Sequence, residues 1–140
     1  MGIIVVGPRA SAFLPSKMNK NGTANLTTSY APVQGWTADT GSYPGSTVSS
    51  PDALVVQNTG ASVKITVSAT WSVGIGSTVV SLNITVNGGI VATIDSATAS
   101  SGTTSTNWTG AVAQGDLIRM EAKAASAFQP SISAGFVQVV

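Results

Sequence analysis

The chain has 140 residues, a formal net charge of +1 and charged residues at only 8% of positions, against roughly 25% in an average globular domain. Histidine and cysteine are absent, which excludes a disulfide scaffold, a thiol or histidine nucleophile, and the zinc or haem sites that need those ligands. The six basic residues are scattered, which argues against a phosphate-backbone binder and so against nucleic acid as a partner.

Residues 1–24 differ from the rest of the chain. Ile3-Ile4-Val5-Val6 has strand character, but Gly7-Pro8 and Pro15 break any regular element. We read this stretch as a docking arm that carries Ile3, Ile4, Arg9, Phe13 and Leu14 as its contact residues. The other reading is a first strand and loop of the domain itself. Arg9 follows the short apolar run instead of preceding it, so no signal-peptide anatomy is expected. No stretch reaches the ~18 apolar residues of a membrane span, and no membrane partner is expected.

From residue 25 the pattern is that of strands and turns. Leu26–Trp36 is predicted as a strand, with Pro32 marking an edge or bulge. Residues 37–52 form a long loop punctuated by Gly41, Pro44, Gly45 and Pro51. Ala53–Gln57 is a short strand. Ser62–Val73 alternates, with Val63, Ile65, Val67, Ala69, Trp71 and Val73 on one face. Val80, Leu82, Ile84 and Val86 line the next strand, which ends in the hairpin signal Asn87-Gly88-Gly89; Ile90–Ile94 returns. Asp95–Thr106 reads as a flexible loop of Ser, Thr, Ala and Gly. Asn107–Val112 and Leu117–Ala125 form the next strands, the second with Ile118, Met120, Ala122 and Ala124 inward. Ile132–Val140 closes the chain. The expected fold is all-β: an antiparallel two-sheet sandwich, jelly-roll-like, over residues 25–140, with the arm at 1–24.

The last strand is expected to place Ile132, Ala134, Phe136 and Val140 on one face, and Val137 and Val139 on the other. Both faces are largely apolar, so both need cover: one from the domain core, the other from a loop, the arm or a second subunit. Phe136, Val137, Val139 and Val140 are therefore the candidate subunit-interface residues. The mean hydropathy of +0.32 points the same way. Either uncharged Ser and Thr solvate the surface, or an oligomer buries part of it.

The acids Asp39, Asp52, Asp95, Asp116 and Glu121 form no facing pair that the sequence can place, and their spacing matches no calcium loop. No catalytic residue, metal site or cofactor is expected, and the chain is read as not an enzyme. Trp71 belongs to the core. Trp36, Asp39 and Tyr43 flank or lie in the long loop, where aromatic rings either stack on a sugar, anchor a protein contact or simply pack.

Residues 53–140 resemble the trimeric jelly roll shared by the complement first-component globular head and tumour necrosis factor. The features that carry the likeness, in order, are Ser62–Trp71, Val80–Asn87-Gly88, Gly115-Asp116-Leu117-Ile118-Arg119-Met120 and Ala134-Gly135-Phe136-Val137. The whole chain, with Gly7-Pro8-Arg9-Ala10, Gly35-Trp36-Thr37-Ala38-Asp39 and Tyr43-Pro44-Gly45, also resembles small virion proteins of tailed phages that infect actinobacteria. The resemblance implies a homotrimeric structural role on the particle, as capsid decoration or minor tail protein, with major capsid or tail proteins as neighbours. It implies synthesis in the host cytoplasm and residence in the virion. The alternative is a tail module whose loops 37–52 and 95–106 bind a host-surface glycan or receptor.

Overall fold

The computed structural model describes Gly2 and residues 12–140. Among these residues twelve strands form in chain order: β1 (Ser16–Lys20), β2 (Ala24–Asn25), β3 (Ala31–Pro32), β4 (Trp36–Ala38), β5 (Val48–Ser49), β6 (Ala53–Val55), β7 (Gly60–Ser72), β8 (Val80–Val86), β9 (Gly89–Asp95), β10 (Ser101–Val112), β11 (Leu117–Ala124) and β12 (Ser131–Val139). They make two antiparallel sheets. The first has the order β10-β7-β12-β1-β4 with β2 beside β12, and the second the order β5-β6-β11-β8-β9 with β3 beside β11. The sandwich follows from strict alternation in β7, β8 and β11. Val63, Ile65, Val67 and Trp71 from one sheet meet Leu82, Ile84, Ile118 and Met120 from the other, all buried. The β8–β9 hairpin turns at Asn87 and Gly88, whose φ values of 50° and 86° are those a two-residue turn of this hand requires.

Four sequence expectations are corrected. Ser16–Lys20 is an interior strand, paired with β12 on one side and β4 on the other. The sandwich therefore begins well before residue 25, because Met18 is a core residue at 0% exposure. Leu26–Trp36 is mostly loop, with only Ala31–Pro32 and Trp36 in strands; the Thr27 hydroxyl bonds the Ser29 backbone and holds that stretch in a turn. Residues 101–106 are strand and not loop, because their Thr and Ser side chains suit a pleated edge and pair residue by residue with β7.

The fourth concerns parity in the last strand. A register shift between Ile132 and Ala134 adds one residue to β12. That flips the alternation, so Ile132, Val137 and Val139 all face the core, fully buried, while Ala134 and Phe136 stay on the outer face.

Candidate functional site

The outer faces of the two sheets differ in chemistry. Behind β11, β8 and β9, the outer side of the second sheet holds its charged side chains in pairs, while Thr85 Oγ1 is buried there without a partner among the described residues. Arg119 Nε lies 2.8 Å from Asp52 Oδ1. Asn83 donates to Glu121 and accepts from Thr93 at 2.7 Å. The Ser81 hydroxyl donates to Asp95, and Lys123 Nζ sits 4.7 Å from the centre of the Tyr30 ring.

The outer face of the first sheet is different. Between Lys64 at one end and Lys17 on β1, it presents Thr66, Ser68, Thr70, Thr103, Ser105 and Asn107 beside Ala134, Phe136 and Gln138, with no charged side chain among them. The hydroxyls tie neighbouring strands: Ser105 to Ser68 at 2.7 Å and Thr70 to Thr103 at 3.0 Å. Their hydrogen-bonding capacity is thus partly met without water. A face of this kind loses little solvation when another surface covers it.

Of the predicted interface residues, Phe136 and Val140 lie outside the core, Val140 at 41% exposure, while Val137 and Val139 are core at 0%. A second chain cannot touch those two. Phe136 is half-buried, and Lys17 Nζ lies 4.8 Å from its ring centre and 5.7 Å from that of Tyr43. One ammonium therefore brings Tyr43 of the long loop beside Phe136 of the sheet face. Asp39 is next to them. It accepts from the Ser42 N–H at 3.1 Å and from Asn19 Nδ2 at 3.3 Å, which makes it the anchor of the 39–43 turn. Trp36 is separate: its indole N–H donates to the Val33 carbonyl at 2.6 Å and its ring packs on the core.

Of the arm residues, Ile3, Ile4 and Arg9 lie outside the described residues. Phe13 packs against the core of its own chain, over Gly60. Leu14 is 49% exposed, with its N–H held by Asn58 Oδ1 at 2.8 Å. Asn58 Nδ2 in turn donates to the Ala12 carbonyl at 2.9 Å. The two predicted recognition loops do not share a tip. Residues 39–47 sit by Pro15 and Gln57 at one end, and residues 96–100 by Thr78 and Val80 at the other.

Sequence reading missed a cluster around Lys20. Its Nζ donates to the carbonyls of Asn21, Gly22 and Gly35 at 2.9, 3.1 and 3.1 Å, and burial lowers its pKa below the usual 10.5. The two glycines in Asn-Gly and Gln-Gly steps were the available signal. Among the described residues, no group of three His, Cys, Asp or Glu side chains is placed to hold a metal ion, and no helix is long and apolar enough to cross a membrane.

No family model and no curated protein matches the sequence. Solved structures do. Eiger TNF from S. frugiperda matches with a TM-score of 0.63 and 14% identity, over 91% of this chain and 91% of that one. Murine APRIL matches with a TM-score of 0.52 and 12% identity, over 88% of this chain and 98% of that one. The likeness is one of fold: the chain is an antiparallel two-sheet jelly roll of the tumour-necrosis-factor type.

Proposed function

We propose that the chain works by binding and not by chemistry, as a homotrimeric structural protein of a tailed-phage particle. It serves there as capsid decoration or as a minor tail component, with major capsid or tail proteins as its neighbours. The observation that carries the assembly is the outer face of the β10-β7-β12-β1-β4 sheet, where an uncharged band of hydroxyls and amides runs up to a half-buried Phe136 with Lys17 at its margin. The trimeric jelly roll that residues 53–140 resemble supports the stoichiometry, and the Gly7–Ala10 and Gly35–Asp39 segments support the virion setting.

Native mass is the first test: it should be three times the 14.0 kDa chain mass. Phe136→Asp should reduce it to a single chain. Lys17 can pair with the new carboxylate in the free subunit, which keeps the variant folded, whereas assembly would have to strip that ion pair of water and would lose the buried ring. An unchanged native mass in a folded Phe136→Asp protein would remove this face as the interface. Immunogold labelling of intact particles then separates the two locations. Label spread over the head supports decoration, label on the tail supports a tail component, and unlabelled particles rule out the virion role.

A further inference from the structure

The end of the sandwich where β7 runs into β8, β9 into β10 and β11 into β12 also carries residues 21–35, tied there by the Leu26 N–H to the Pro130 carbonyl and the Ala124 N–H to the Thr27 carbonyl, each at 2.8 Å. None of residues 21–35, 73–79, 96–100 and 125–130 is charged. In this end lies a hollow of about 500 Å³, bordered by Lys20, Gly35 and the exposed side chains of Asn21, Thr23, Asn25 and Gln34, with the Pro32 ring alongside. A hollow of about 50 Å³ shares Asn25 and Pro32 with it. A third, of about 150 Å³, continues across Leu26 and Thr27 to Thr28 and Gln129. Together they make a groove.

The rim of the main hollow is built, not fortuitous. Lys20 Nζ clamps the carbonyls of Asn21, Gly22 and Gly35, and the Asn21 N–H adds a bond to the Gly35 carbonyl at 2.8 Å. Gly35 has φ +83°, and a Cβ there would collide with both the Asn21 carbonyl and the Lys20 ammonium.

The chemistry of the groove selects its ligand. An ammonium has three donors, and Lys20 directs its own at three carbonyls, so it offers little to an anion. Each amide presents a donor and an acceptor, and the Thr23 hydroxyl presents both, which is the pattern that sugar hydroxyls satisfy. Pro32 supplies an apolar surface for sugar C–H groups. We propose that this groove binds a neutral carbohydrate, one sugar unit in the main hollow and further units along the smaller ones. The groove belongs to one end of a single subunit, so its occupancy does not depend on the oligomer.

The test is a titration of the isotope-labelled full-length protein, followed by amide chemical shifts, with the trisaccharides of glucose, mannose, galactose and N-acetylglucosamine, and of glucuronic acid as the charged control. At least one neutral probe should give saturable shifts confined to residues 20–35 and 125–130. Asn25→Ala and Gln34→Ala should each weaken it about tenfold, the loss of one or two good hydrogen bonds, with thermal unfolding unchanged because both side chains are exposed. Absence of saturable shifts with all four neutral probes would overturn the proposal. So would shifts that map elsewhere, tightest binding to the glucuronide, or affinity unchanged in both variants. None of these readings depends on native mass.

Discussion

Gly135 has φ +153° and lies so close to β7 that a Cβ on it would strike the Ser68 carbonyl, with Ala69 Cα 3.2 Å away. No side chain fits unless β12 lifts off β7, and β12 carries Ile132, Val137 and Val139 into the core. Gly135→Ala should therefore cost about 3 kcal/mol from combined backbone strain and overpacking, read as a drop in the denaturant midpoint at constant slope. A change within experimental error would show that the approach relaxes cheaply. Trp71 makes a second residue-scale case. Its indole N–H, in a side chain 2% exposed, donates to Thr104 Oγ1 at 3.0 Å across the β7–β10 pair. Thr104→Val keeps the shape and removes the acceptor, and should cost about 2 kcal/mol; Thr104→Ser should recover most of it. Lys20 gives a pH dependence with a definite sign. Burial lowers its pKa below 10.5, so across the interval below 10.5 the unfolded chain holds a proton that the folded chain has released. Stability from this group rises with pH there. The unfolding free energy of the parent protein minus that of Lys20→Met should grow as pH climbs through that interval, and a flat or falling difference would contradict the assignment.

At the scale of elements, β7, β8 and β11 were legible in the sequence because apolar residues occupy every second position with few exceptions and each strand packs on one core face. The first half of β10, Ser101–Thr106, was not legible. Its inward positions include Gly102, Thr104 and Thr106, so the period-2 signal is missing, and pairing with β7 supplies what composition does not show. The inward-facing set of β12 was misread for a different reason. A single extra residue at the Ile132/Ala134 shift reverses which residues face inward, and no local composition announces it. The candidate site shares this history: Phe136 keeps its outward place, Val137 and Val139 do not, and the Lys20 groove arises from loop residues and the short strands β2 and β3, which only the fold brings beside the ends of β1 and β4. The Asn58 clamp is an element-scale device as well. Its side chain pairs with Ala12 and Leu14 as a strand neighbour would. Asn58→Ala should raise the hydrogen-exchange rate of the Leu14 amide at least about fivefold while costing the whole domain only about 1 kcal/mol. Exchange at Leu14 that stays as in the parent would mean Phe13 alone holds the segment.

For the whole molecule, the distribution of charge matters more than its sum. Asp52, Asp95, Arg119, Glu121 and Lys123 gather on the outer side of one sheet, most of them paired there. The other sheet shows a band of hydroxyls, amides and one aromatic ring with lysines only at its margins. If the second face joins the subunits, the free energy of assembly comes from apolar area and hydroxyl pairing, roughly 25 cal/mol per Å² of apolar surface removed from water. It does not come from ion pairs that salt screens over about 10 Å at 0.1 M. Two consequences separate this from assembly through the charged face. The native mass should be the same at low salt and in about 0.5 M sodium chloride, where an ion-paired interface would dissociate or weaken. The melting temperature should rise with protein concentration, because subunits that associate only when folded stabilise one another by mass action. Collapse of the oligomer at 0.5 M salt would place the contact on the Asp52–Arg119 side instead.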